Sequence, residues 1–179
     1  FKSKIGKPYQ KIAGKSLIQI NVDKARLFKQ IKKIVIVYNK KDTKLVKSLK
    51  LKNVQLVVGG KTRQKSTYNA LKYLIRKKNI SRVLIHDAAR PNFSSKLFNL
   101  IINKMKNSRA VIPKINIQDA VKQKIESSKE EYIIGKKRNE LFLTQTPQAF
   151  NLKEIYQLHT KTFSKYKDDD ISLYMDLNK

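Results

Sequence analysis

Four short runs of branched apolar residues recur along this chain, at 34–37, 54–58, 83–85 and 110–112, and every interval between them carries helical apolar spacing. Runs of this length, rich in Val and Ile and bounded by Gly or Pro, read as buried strands. Before the first run, Leu17, Ile18, Val22 and Ala25 share one helical face. A short helix is predicted over 42–50. After the break at Gly59 and Gly60, Tyr68, Leu71, Leu74 and Ile75 line a third helix, and Leu97, Leu100, Ile101 and Met105 line a fourth, with Ser94 or Ser95 as its N-cap. Alternation of this kind predicts an α/β domain, built on a mostly parallel sheet with helices on both faces.

Residues 114–145 leave that pattern. Ile115, Ile117, Val121 and Ile125 stand at strand-compatible spacing among polar residues, 126–131 is a polar turn, and 132–134 and 141–143 are two more apolar triplets. This predicts an extended β-arm inserted into the domain, of the sort that pairs with a second subunit. The chain then returns to helical spacing through Leu152, Ile155, Tyr156, His159 and Phe163, a face on which His159 reads as packing. Asp168, Asp169 and Asp170 look like the acidic first turn of a last helix.

The run Val83, Leu84, Ile85 ends in His86, Asp87, Ala88, Ala89, Arg90 and Pro91. In an open α/β sheet, ligands bind beyond the carboxyl ends of the strands. A carboxylate there can hold a divalent cation, an arginine can grip a phosphate through two parallel hydrogen bonds, and two alanines leave room between them. His86 is tempting as a general base, but a histidine closing a buried strand reads better as a hydrogen-bonded core residue.

The net charge of +28 raises the question of nucleic acid. Arginine occupies only seven positions, the remaining cations are lysines spread along the whole chain, and no basic stripe with interleaved aromatics stands out. A solvated lysine-rich surface is the better account. There is no cysteine, which excludes disulfides, thiol catalysis and cysteine-held zinc. No apolar run approaches a membrane span. A cytoplasmic protein is the default expectation, with a plastid-type organelle open if a targeting segment once preceded Phe1.

Four segments, in order and spacing, resemble the 2-C-methyl-D-erythritol 4-phosphate cytidylyltransferase family of the non-mevalonate isoprenoid pathway. They are Lys7-Pro8-Tyr9 with Ile12-Ala13-Gly14-Lys15, then residues 59–66 (GGKTRQKS), then 86–91 (HDAARP), then 144–150 (TQTPQAF); Asp119-Ala120-Val121-Lys122 is a weaker fifth. The resemblance implies a doubly wound, Rossmann-like sheet with a β-arm that clasps a second subunit. It also implies transfer of CMP from CTP to 2-C-methyl-D-erythritol 4-phosphate, releasing pyrophosphate, with a divalent cation, Mg²⁺, and no protein nucleophile.

Carried over position by position, the resemblance makes Lys7 the catalytic lysine beside the reacting phosphate. It places Gly59, Gly60, Ser66, Asp87 and Ala88 around CTP, with Asp87 as the metal ligand. Arg90, Arg138 and Thr146 fall at the polyol phosphate, Arg138 reaching it from the partner's arm. Arg63 would order the glycine loop. Three departures stand out: Pro8 follows the lysine instead of preceding it, Lys61 replaces an acid, and Ala120 replaces a threonine. The resemblance further implies a strand, a glycine-rich phosphate loop and an arginine before Phe1, and a lysine beyond residue 179. The expectation is therefore a single nucleotidyltransferase domain lacking both ends, with little activity as it stands and with a cyclodiphosphate synthase as an optional fused neighbour. Competing expectations are a ribitol 5-phosphate cytidylyltransferase of the same fold, a basic nucleic-acid module and an inactive dimerising scaffold.

Overall fold

The computed structural model describes residues 5–126, 131–161 and 169–175. A 3-10 turn, Lys7–Tyr9, leads into a two-residue hairpin, β1 (Lys11–Ile12) and β2 (Lys15–Ser16), turned by Ala13 and Gly14 in the left-handed region (φ 48° and 80°). Then follow α1 (Leu17–Arg26), β3 (Ile34–Tyr38), α2 (Thr43–Ser48), β4 (Val54–Val58), α3 (Arg63–Leu74), β5 (Arg82–Ile85), α4 (Ser95–Lys104) and β6 (Ala110–Val111). The arm comprises β7 (Lys114–Asn116), β8 (Val121–Glu126), β9 (Glu131–Lys136), a 3-10 turn at Arg138–Glu140, and β10 (Phe142–Thr144); β11 (Gln148–Asn151), α5 (Leu152–Lys161) and α6 (Ser172–Met175) complete the chain.

Helices α1, α3 and α4 start where the sequence supplies caps. Ser16 and Gln19 form a reciprocal capping box at α1, and the Thr62 and Ser94 hydroxyls accept from the backbone of α3 and α4. Of the two candidate serines before α4, Ser94 is the cap. Phe163 and Asp168 lie outside the described residues.

The α/β expectation holds, with one difference: the strands are mixed in direction. β3 and β4 pair in parallel from Ile34↔Val54 to Tyr38↔Val58. β11 lies between β5 and β6 and runs antiparallel to both, with Gln148↔Ile85 at one end and Asn151↔Arg82 at the other. Four residues of mixed character do not announce a strand; the ladder bonds to two flanking strands make one. Its alternation then serves two cores. Phe150 packs with Leu71, Leu74, Leu152, Ile155 and Leu158 of α3 and α5, whereas Ala149 joins Ile101 and Met105 at α4. Helices thus cover both faces of this three-stranded unit. A third cluster, Tyr9, Ile18, Val22 and Val46, packs beside β3 and β4 and reaches Ala88. Each fully buried Leu or Phe here contributes about 1.5–3 kcal/mol.

The arm consists of two antiparallel ladders, β8 with β9 and β7 with β10. Its apolar side chains are unusually open: Ile115, Ile133, Ile134, Phe142 and Leu143 are all exposed. Among the described residues no helix is long and apolar enough to cross a membrane.

Candidate functional site

The loop after β5 is tightly specified. The Arg90 N–H donates to the Asp87 carbonyl at 2.9 Å, and His86 Nε2 donates to the Arg90 carbonyl at 2.8 Å. The His86 ring meets Phe93 edge-on. Burial pushes the His86 imidazole below its ordinary value, aided by the Arg90 and Lys24 charges and outweighing the bond to Arg90 and the Asp87 charge. His86 thus acts as a brace that holds the loop. Helix α1 supports the same loop from behind, through Asn21 Nδ2 to the Ala88 carbonyl at 2.8 Å and Lys24 Nζ to the Pro91 carbonyl at 2.6 Å.

Asp87 and Arg90 lie on one face of this loop, and they pair with each other. Arg90 Nε stands 3.0 Å from Asp87 Oδ2, with the two side chains 48% and 39% exposed. Arg90 Nη1 also donates to Gln145 Oε1, and the Asp87 N–H donates to the Thr146 hydroxyl at 3.3 Å. Residues 86–91 and 144–148 therefore form one cluster. Gln145 lies inside the motif at 144–150 but carries no local sign of its role, because its side-chain contact with Arg90 spans 55 positions.

A second cluster gathers at the start of α3. Gly59 donates its N–H to the Tyr38 carbonyl at 2.8 Å, and Gly60 donates to the Ser66 hydroxyl at 3.0 Å, which in turn donates to the Thr62 carbonyl at 2.9 Å. A side chain at Gly59 would meet the Ser66 hydroxyl at 2.8 Å; one at Gly60 would fall on Lys65 Cβ at 2.5 Å. Both glycines are required by close approach, and Ser66 shapes the turn from inside. Arg63 does reach across the molecule, donating to Asp170 Oδ2 at 2.7 Å.

Lys7 opens the first 3-10 turn and is exposed, while Tyr9 two residues on is buried in the cluster that includes Ala88. Burial, with the Asp42 and Tyr38 charges, pushes the Tyr9 phenol up to about 12. Arg138 donates from Nη1 to the Gln118 carbonyl at 2.5 Å, within the arm. Among the described residues, no hydrogen bond or ion pair joins it to Asp87 or Arg90. A cavity of about 250 Å³ lies behind the strand-end loop, lined by Lys24, Leu27, Phe28, Phe93, Ser94 and Ser95. None of the predicted site residues lines it, and Lys24, its one cation, is spent on the Pro91 and Phe93 carbonyls.

No cage of three or more His, Cys, Asp or Glu side chains gathers among the described residues. A magnesium ion that arrives on a triphosphate needs only one or two protein carboxylates. The half-exposed Asp87 carboxylate suits that demand. His159, read as packing, is buried, but its Nε2 also donates to Asp170 Oδ1 at 2.9 Å.

The family model for IspD, 2-C-methyl-D-erythritol 4-phosphate cytidylyltransferase, matches residues 1–176. The chain is 45% identical over 169 residues to the bifunctional enzyme IspD/IspF of Pelagibacter ubique (strain HTCC1062), covering 94% of this chain and 44% of that protein. It is 34% identical over 174 residues to the 2-C-methyl-D-erythritol 4-phosphate cytidylyltransferase of Thermosipho melanesiensis, covering 91% of this chain and 73% of that one. The crystal structure of 4-diphosphocytidyl-2C-methyl-D-erythritol synthase from Anaerococcus prevotii DSM 20548 superposes with a TM-score of 0.82 at 31% identity, over 97% of this chain and 77% of that chain. Against the bifunctional relatives, this chain spans less than half of their length.

Proposed function

The chain belongs to the 2-C-methyl-D-erythritol 4-phosphate cytidylyltransferase family, and from that premise we propose that it carries the site where CMP passes from CTP to 2-C-methyl-D-erythritol 4-phosphate. An oxygen of the 4-phosphate attacks the α-phosphorus, the bond from that phosphorus to the β-phosphate oxygen breaks, and pyrophosphate leaves. A phosphate is already nucleophilic near neutral pH, so no protein base is required, in keeping with His86 serving as a brace. The work left to the protein is positioning and neutralising charge.

The observation that carries this reading is the single-faced cluster of Asp87, Arg90, Gln145 and Thr146 beyond β5. Asp87 would hold a magnesium ion, which when bound would offset charge on the triphosphate. Arg90, held at the edge by Gln145, would turn from Asp87 to the polyol phosphate. Gly59 and Gly60, with their turn already set by Ser66, would take the cytidine together with Ala88 of the loop after β5. Lys7 would supply a cation at the reacting phosphate. Arg138 would act in a homodimer, where the exposed apolar side chains of the arm become covered. The basic surface would draw in two anionic substrates.

The test uses the full-length protein. With CTP, Mg²⁺ and 2-C-methyl-D-erythritol 4-phosphate it should release pyrophosphate, and ribitol 5-phosphate should substitute poorly. No release with any polyol phosphate would overturn the proposal. Preference for ribitol 5-phosphate would transfer it to the related substrate.

A further inference from the structure

Two neighbouring carboxylates near the end of the described chain hold two different parts of the molecule. Asp170 is buried, as is His159; its Oδ1 accepts from His159 Nε2 at 2.9 Å and its Oδ2 from Arg63 Nη2 at 2.7 Å. A carboxylate withdrawn from water is tolerated only when paired and hydrogen-bonded. Both of its oxygens are spent, one on α5 and one on the first residue of α3. Arg63 stands three residues beyond Gly60, and the same helix supplies the Ser66 hydroxyl that holds Gly60.

Asp169 faces other partners. Its Oδ2 accepts from Gln148 Nε2 at 3.2 Å, its Oδ1 from the Ser172 backbone at 3.2 Å and hydroxyl at 2.6 Å, and it bonds the Thr144 side chain. Burial alone would raise its pKa, yet these bonds together hold it below the ordinary carboxylate range. Thr144 and Gln148 bracket Gln145 and Thr146, the two residues that touch Arg90 and Asp87.

We propose that Asp169 and Asp170 are a pair of positioning residues that strap the two halves of the site together: Asp170 sets the glycine loop through Arg63, and Asp169 sets the Gln145–Thr146 segment through Thr144 and Gln148. His159 completes the strap by occupying the second Asp170 oxygen. The inference rests on the reading that the glycine loop takes CTP and the Asp87–Arg90 edge takes the polyol phosphate. It adds that loosening one carboxylate damages one substrate and spares the other. Merely structural residues would lower folded protein, or would shift both constants together.

The experiment compares Asp170→Asn, Arg63→Lys and Asp169→Asn in the full-length polypeptide, by steady-state kinetics and by hydrogen exchange. An amide at 170 presents a donor to one of two existing donors. Arg63→Lys keeps the charge on a partly exposed side chain and tests the same link should Asp170→Asn fail to fold. Both should raise the KM for CTP about tenfold, with less than a twofold change for the polyol phosphate. Asp169→Asn should do the reverse. Exchange should quicken at 59–66 in the first two variants and at 144–148 in the third. Equal changes in both constants, or exchange that rises in both segments alike or in neither, would overturn the strap while leaving the cytidylyltransferase reading in place. An inactive wild type would sink that reading alone, and the exchange pattern would still decide the strap.

Discussion

Arg90 Nε sits 3.0 Å from Asp87 Oδ2 on a half-exposed loop face, so the acid proposed for the metal and the guanidinium proposed for the polyol phosphate neutralise each other in the free protein. An exposed pair of this kind contributes little to stability. It keeps both side chains in register and leaves them free to exchange partners. The loop geometry is maintained instead by buried bonds from His86, Asn21 and Lys24.

Asp87→Asn should therefore spare the fold and harm the reaction. Turnover with CTP and Mg²⁺ should fall by about 10²–10³-fold, the loss typical when a charge-stabilising contact is removed. The midpoint of thermal unfolding should move by no more than a few degrees. Unchanged turnover would remove Asp87 from the metal role.

Gly60→Ala tests the turn itself. The added carbon would lie 2.5 Å from Lys65 Cβ and 3.3 Å from the Lys65 carbonyl carbon, so the first turn of α3 must shift and the Gly60–Ser66 bond must lengthen. The KM for CTP should rise about tenfold, with the polyol phosphate constant little affected. A Ser66→Ala variant should show a smaller change in the same direction, since it removes the hydroxyl's bonds to Gly60 and Thr62 without introducing a clash. Isothermal titration with CTP would detect both, and unchanged affinity in both would place the nucleotide elsewhere.

His86 supplies a pH dependence of stability. Its imidazole is held below the ordinary value of 6.5 by burial. As pH falls through about 6.5 the unfolded chain takes up a proton that the folded chain refuses, so stability present above that pH declines until the lowered folded value is passed. His86→Gln retains a donor for the Arg90 carbonyl and removes the titration. Denaturant unfolding of wild type and variant should show a stability difference that moves against wild type from pH 7 to pH 5. A difference constant across that range would contradict a desolvated histidine.

Arg138→Ala addresses the arm. If Arg138 serves a partner's site, the KM for the polyol phosphate should rise about tenfold while that for CTP stays put. Sedimentation should show a dimer in both proteins, because apolar side chains such as Ile133 and Leu143 would carry the association. Equal loss for both substrates, or a monomeric wild type, would contradict the arm's proposed role.

The sequence by itself determined the repeating strand and helix segments, a serine cap at 94 or 95, the two-glycine turn and the family, because each of these is local: it depends on neighbours within about a dozen residues or on a contiguous motif. Only the tertiary structure decided that Gln148–Asn151 becomes a central antiparallel strand, that Arg90 rests on Asp87 and Gln145, and that His159 is a hydrogen-bonding residue as well as a packed one. The Arg63–Asp170 contact joins positions 107 apart. Nothing near Asp170 in the chain marks which cation it will meet. That choice is made when α3, α5 and β11 close around the shared apolar cluster, and burial then compels the carboxylate to find a partner.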